Sequence, residues 1–151
     1  MLRLVRTQTD HADFLALVKL LDRYLAAIDG DEHAFYAKLN VLHQVNPAVV
    51  AYRDETPIGC GAFRETNSGD AEIKRMFVLP AHRQQGVAQA VLTDLEDWAA
   101  ELGYPACVLE TGKKQLEALA LYHKSGYRLA ENYGQYVGVA NSVCMCKELN
   151  R

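Results

Sequence analysis

Residues 72 to 92, EIKRMFVLPAHRQQGVAQAVL, constrain the fold of this chain more than any other stretch. Glu72 to Leu79 reads as a strand, and Pro80 stops it. The run Arg83-Gln84-Gln85-Gly86-Val87-Ala88 then opens a helix that continues through Val91, Leu92, Leu95, Trp98 and Leu102. A strand that breaks into a small-residue turn and then a helix is a phosphate-binding arrangement. Gly86 lets backbone approach a ligand closely, and the first N–H groups of the helix have no internal partner. Those donors and the helix dipole favour an anion at that end. Two familiar phosphate loops are absent: the chain has no GxxxxGK[ST], and no GxGxxG follows a strand.

The rest of the chain can be read around this unit. Leu2 to Arg6 alternates apolar and polar as a first strand, and Asp10 is the expected N-cap of the next helix. Phe14, Leu17, Val18, Leu21, Leu25 and Ile28 mark that helix, which Gly30 ends. A second helix is predicted over 32–42, with Phe35, Leu39 and Leu42 as its apolar stripe. Strands are predicted over 49–53 and 58–65, joined by the turn Asp54-Glu55-Thr56-Pro57, and then over 71–79. After the central helix, closed by Gly103, come a strand over 106–111 and a helix over 115–125 ended by Gly126. Two last strands follow at 127–131 and 143–148. Strands in a run, then strand and helix alternating, then strands again, predict an α/β (α+β) chain: a mixed sheet with helices on both faces. At 151 residues it is expected to be one domain over 1–151.

Composition narrows the partners. Sixteen Lys and Arg against nineteen Asp and Glu give a net charge of −3, which offers no reason to expect nucleic acid or an anionic membrane. The mild acidity is compatible with a cationic substrate such as an amine. Cysteines 60, 107, 144 and 146 form no CxxC pair, and no histidine pair completes a zinc pattern, so no metal is expected. The sequence shows neither a signal peptide nor an apolar run of membrane length, and a cytoplasmic location with reduced thiols is the expectation.

The loop Arg83-x-x-Gly86-x-Ala88 resembles (Q/R)xxGx(G/A), the acyl-coenzyme A loop of the GNAT family of N-acetyltransferases. A second segment, Gln115-x-x-Ala118-x-x-Leu121-Tyr122-x-x-x-Gly126-Tyr127, is similar to that family's NxxAxxLYxxxGF, with Gln115 for Asn and Tyr127 for Phe. The likeness covers about residues 58 to 130. A closer resemblance is to small bacterial acetyltransferases carrying EIKRM, LETG and a late YGxY and SVCM, here Glu72–Met76, Leu109–Gly112, Tyr133–Tyr136 and Ser142–Met145. The resemblance implies the GNAT fold, a twisted, mostly antiparallel mixed sheet of about seven strands. It also implies acetyl transfer from acetyl-CoA directly to an amine, with no covalent enzyme intermediate.

That reaction needs a pyrophosphate cradle, for which Arg83, Gln84, Gln85, Gly86, Val87 and Ala88 are the candidates. Gln84 and Gln85 are neutral where the family often carries a cation, so backbone N–H groups and Arg83 are expected to dominate the cradle. Donors for the thioester carbonyl are implied at the backbone of Phe77 and Val78. Gln115 is a further contact to CoA. Tyr122 either donates to the departing thiolate, as the family's tyrosine at this motif position does, or packs between helix and sheet. The proton of the attacking ammonium is expected to go to Glu72, with Glu110 as the rival that otherwise fixes the ammonium by charge. Lys74 lies two residues beyond Glu72, nominally on its face, unless a β-bulge re-aims one of them. Tyr133 and Tyr136 are expected beside the acceptor or at a subunit contact, and Tyr36 beside the acceptor or at the surface. The acceptor is a small-molecule amine or a protein amine, a homodimer is possible, and the rival reading is an acyl-CoA-binding regulatory module without catalysis.

Overall fold

The computed structural model describes residues 1–29 and 45–149. The chain runs β1 (Leu2–Gln8), α1 (Ala12–Asp29), β2 (Pro47–Arg53), β3 (Thr56–Glu65), β4 (Ala71–Val78), α2 (Val87–Glu101), β5 (Ala106–Gly112), α3 (Leu116–Lys124), β6 (Arg128–Ala130) and β7 (Ser142–Glu148). Short 3-10 turns stand at Pro80–His82 and Gly134–Tyr136. The helix expected over 32–42 lies outside the described residues. No described helix is long and apolar enough to cross a membrane.

The strands form one sheet of order β1-β2-β3-β4-β5-β7-β6. Its one parallel pair is β4 with β5, and the other neighbours are antiparallel. Alternation along β2 sets the two layers. Ala48, Val50 and Tyr52 face α1, where Phe14, Leu17 and Leu21 cover them. Val49 and Ala51 face the opposite side, where Val91, Leu92 and Leu95 of α2 pack with Ile58 and Phe63. The stripes read from periodicity on α1, at Phe14, Leu17 and Leu21, and on α2, at Val91, Leu92 and Leu95, are therefore buried, while Leu102 past the end of α2 is exposed.

Two boundaries differ from the sequence expectation, each for a local reason. The cap of α1 is His11, whose Nδ1 accepts the Asp13 N–H at 3.1 Å, and not Asp10. The central helix begins at Val87, because Gly86 sits at φ 81°, a left-handed conformation that no helical residue adopts.

The deformation that matters most for the site is a β-bulge in β4. Ala62 pairs with Lys74 and Cys60 with Phe77, so Gly61 alone opposes Arg75 and Met76. Arg75 takes φ 61°, unusual for a residue with a Cβ, and its guanidinium is held to Asp22 of α1 at 2.9 Å. Gly61 makes room: a Cβ there would stand 2.5 Å from the Met76 sulfur and 2.8 Å from Leu95 Cδ1. The bulge follows Lys74, so Glu72 and Lys74 keep a common face. It also swings Phe77 onto the α1 layer and Val78 onto the α2 layer.

Candidate active site

β4 and β5 are paired only at Ala71–Cys107 and Glu72–Val108, although both strands continue well past those residues. Beyond them the sheet opens. Into the gap leads a cleft of about 590 Å³ whose wall includes Met76, Phe77 and Val78 of β4, the start of α2, and Gln115 and Tyr122. The backbone of the second half of β4 thus borders the cleft on the side where a strand would otherwise bond it.

The loop from Leu79 to Gly86 builds one rim. After the 3-10 turn, Arg83 is extended, Gln84 takes φ 60° and Gly86 φ 81°. α2 then starts without a side-chain cap, so its first N–H groups are left to the cleft, which Gly86, Val87, Ala88 and Gln89 line. A fifteen-residue helix presenting uncapped N–H groups and its positive dipole end to an open cleft suits a phosphate.

Arg83 both lines this cleft and ties it together. Its Nε donates to the Val78 carbonyl at 2.9 Å, and its guanidinium lies over the rings of Tyr24, at 4.9 Å, and Phe77, at 5.6 Å. Gln84 lines the cleft, whereas Gln85 does not. The Gln85 side-chain amide oxygen accepts from the Arg53 guanidinium, which also meets His82 Nδ1 at 3.2 Å. His82 of the loop and Lys124 of α3 join the lining, so a lysine reaches the rim from outside the loop. Sequence reading missed Arg53, which stands at the end of β2 and arrives through the fold.

Tyr122 connects this cleft to a second, smaller one. The residue is buried on α3, its ring edge-to-face with Tyr127 at 5.7 Å between centroids. Burial pushes its phenol pKa up, and the charge of Glu110 adds to the rise, so the group stays protonated at neutral pH. Gln115, just before α3, lines both spaces as Tyr122 does.

The second pocket, about 90 Å³, is polar and charged, with Glu72, Lys74, Glu110, Thr111 and Tyr136 in its wall. Glu72 is 1 % exposed, with one oxygen accepting from Arg64 Nε at 2.7 Å and the other from the Tyr133 hydroxyl at 2.7 Å. Arg64 is the direct cross-strand partner of Glu72, so the pair follows from register. Lys74 is buried, and its ammonium donates to the Tyr136 hydroxyl at 3.2 Å. Burial lowers the Lys74 pKa, against the opposing pull of Glu72 and Glu110. Ser142 donates to Glu110 at 2.7 Å. Tyr133 and Tyr136 stack edge-to-face at 5.6 Å, and Asn132 fixes their turn by donating to the carbonyls of Tyr136 and Val139.

Glu72, Glu110 and Tyr136 therefore meet at one pocket, Tyr133 reaches it through Glu72, and Tyr122 stands where pocket and cleft join. Tyr36, the other residue expected near the acceptor, lies outside the described residues. Among the described residues no three His, Cys, Asp or Glu side chains gather as metal ligands. Lys74 and Thr111 were not read as site residues. The position of Lys74 two residues from Glu72 was the available signal, but its burial was not legible.

A sheet opened between its parallel strands beside an uncapped helix N-terminus defines an acyl-CoA-dependent N-acyltransferase. The chain belongs to the acetyltransferase (GNAT) family, whose model matches residues 14–127. It is 37% identical over 122 residues to an IAA acetyltransferase of Azospirillum brasilense, covering 80% of each chain. It is 35% identical over 101 residues to the N-acetyltransferase YsnE of Bacillus subtilis, covering 66% of this chain and 67% of that one. An acyl-CoA N-acyltransferase structure from Klebsiella pneumoniae superposes with a TM-score of 0.84 at 28% identity, over 99% of both chains. A GNAT acetyltransferase from Elizabethkingia anophelis, solved with acetyl-CoA bound, shares the fold at a TM-score of 0.69 and 18% identity over 98% of both chains.

Proposed function

We propose that this chain transfers the acetyl group of acetyl-CoA to the amine of a small molecule within a ternary complex. The observation that carries the reading is the continuity of the two spaces at Tyr122: an anion-suited cleft on one side and a charged pocket on the other, meeting where β4 and β5 part. The Azospirillum relative, an IAA acetyltransferase, supports a small-molecule acceptor.

In this reading the pyrophosphate rests on the N–H groups from Gly86 to Gln89, and the pantetheine arm runs beside β4. The acetyl carbonyl takes backbone N–H groups near Phe77 and Val78, which stabilise the oxyanion as the amine adds. The ammonium first gives up a proton, because only the neutral amine has the lone pair to attack. Glu110 faces that step with one oxygen held by Ser142. Glu72 meets it through the Arg64 and Tyr133 pairings, which position its carboxylate. The new C–N bond forms, the C–S bond breaks, and the Tyr122 phenol donates to the departing thiolate. The products are the acetamide, CoA thiol and one released proton.

Thiol release from acetyl-CoA with a panel of small primary amines tests the proposal. Turnover that saturates in both substrates, with intersecting initial-rate plots, is the expected result. Acetyl-CoA binding without thiol release from any amine makes the chain a binding module and overturns it.

A further inference from the structure

The charged side chains in the wall of the acceptor pocket are all engaged: Glu72 with Arg64 and Tyr133, Arg75 with Asp22, Lys74 with Tyr136, and Glu110 with Ser142. Besides Tyr122, two neutral polar side chains of the wall are not, Thr111 and Gln115. One turn supplies both. Thr111 is the last residue but one of β5, and Gln115 stands just before α3, with its backbone N–H donating to the Gly112 carbonyl at 3.0 Å.

Thr111 is 5% exposed, and its hydroxyl has no hydrogen-bond partner among the described residues. Buried hydroxyls are nearly always satisfied, so this one calls for a polar group placed against it. Gln115 is a second, independent observation. It holds the N-cap position of α3, where a polar side chain can accept from the first N–H groups, yet its amide makes no such bond. No other hydrogen bond holds that amide among the described residues. Gln115 lines both the cleft and the pocket, so its amide stands where thioester and acceptor meet.

We infer that the acceptor is a small amine of the amino alcohol class, whose hydroxyl is read by Gln115 and Thr111 while its amino group faces the thioester. The inference rests on the transferase reading above and deepens it by naming the acceptor. A hydroxyl both donates and accepts, as do the Gln115 amide and the Thr111 hydroxyl, so it can donate to one of them and accept from the other. A methyl group in its place leaves both side chains desolvated and unpaired. A carboxylate or a second ammonium in its place enters a wall whose own charges already have partners, and gains no unmatched counter-charge for the hydration it loses.

The test measures thiol release by the full chain with four amines of similar size: ethanolamine, propylamine, glycine and ethylenediamine. The four differ in basicity, so kcat/KM is referred to the neutral amine. Two hydrogen bonds lost and two buried groups left unpaired predict ethanolamine above propylamine by about tenfold or more. Gln115→Met and Thr111→Val each bring that ratio towards one, and Thr111→Ser, which keeps the hydroxyl, holds it. A ratio that survives both Gln115→Met and Thr111→Val overturns the assignment, and a Gln115→Met variant that only weakens acetyl-CoA binding makes Gln115 a CoA contact alone. Equal turnover of ethanolamine and propylamine, preference for glycine or ethylenediamine, or turnover of other amines but not ethanolamine overturns the inference while leaving the transferase intact. Absence of thiol release with every amine, in a protein that still binds acetyl-CoA, overturns the transferase reading and the inference with it.

Discussion

Replacing Tyr122 by Phe isolates one oxygen atom at the junction of cleft and pocket. The ring is buried and edge-to-face with Tyr127, and Phe keeps that packing, so the folded state loses about 1 kcal/mol or less. Catalysis is affected far more. A positioned donor to charge that develops in the transition state is worth about 2.7–4 kcal/mol. Thiolate is a softer acceptor than an alkoxide, which favours the lower end, so kcat should fall about 100-fold. Affinity for acetyl-CoA should change by less than about threefold, because the thioester sulfur gains negative charge only as its bond breaks. The phenol pKa is raised by burial and by Glu110, so the wild-type rate should show no loss from Tyr122 ionisation as pH approaches the ordinary phenol value of 10.0. Thiol release under saturating substrates, with calorimetric titration of acetyl-CoA alongside, reads both quantities. A kcat within about threefold of wild type, or a loss confined to acetyl-CoA binding, refutes the assignment and leaves Tyr122 a packing residue.

Three further outcomes follow from the same geometry. Gly61→Ala forces a Cβ against the Met76 sulfur and Leu95, so it should destabilise the fold by about 1–3 kcal/mol and lower Tm by roughly 3–10 °C in a thermal melt; an unchanged Tm contradicts the tightness of the bulge. Tyr136→Phe removes the oxygen that accepts from Lys74, so acceptor KM should rise about fivefold while the Kd for acetyl-CoA stays constant, and the reverse pattern contradicts the placing of Tyr136. Tyr122, Tyr127, Tyr133 and Tyr136 all have pKa values raised, in each case chiefly by burial. Their folded pKa values lie above the unfolded value, so the stability they contribute is complete below pH 10.0 and is lost as pH climbs past it. Denaturant midpoints should therefore fall above that pH, with phenolate absorbance of these four appearing only on unfolding.

Much of this frame was legible because breaker residues mark it. Pro80, Gly86, Gly103 and Gly126 stand at real ends of strand or helix, and the apolar stripe of α2 is the buried one. The bulge was harder to see. Arg75 has no sequence mark of a left-handed conformation, and what permits it is Gly61 on the neighbouring strand together with Asp22 on α1. The candidate site divided in the same way. Arg83 to Ala88 and Tyr122 stand in contiguous motifs, and Glu72 and Glu110 stand on strands whose direction is readable. Arg64, Ser142 and Arg53 come from three other strands, and only register and sheet order bring them to those groups. Lys74 was visible as a neighbouring charge, but the aromatic turn at Tyr133–Tyr136 that helps to enclose it is distant in sequence.

The central claim is that the cleft between β4 and the start of α2 holds acetyl-CoA. Isothermal titration of acetyl-CoA into the wild type and into Arg83→Ala with Gly86→Glu tests it most directly. A Cβ at Gly86 meets no atom within 4 Å, so the double variant should fold while placing a carboxylate, on strained backbone at φ 81°, where phosphate belongs. Binding in the micromolar range by the wild type, lost in the double variant, is the predicted result. Wild-type binding that survives both substitutions, or no binding by the wild type at all, contradicts the claim.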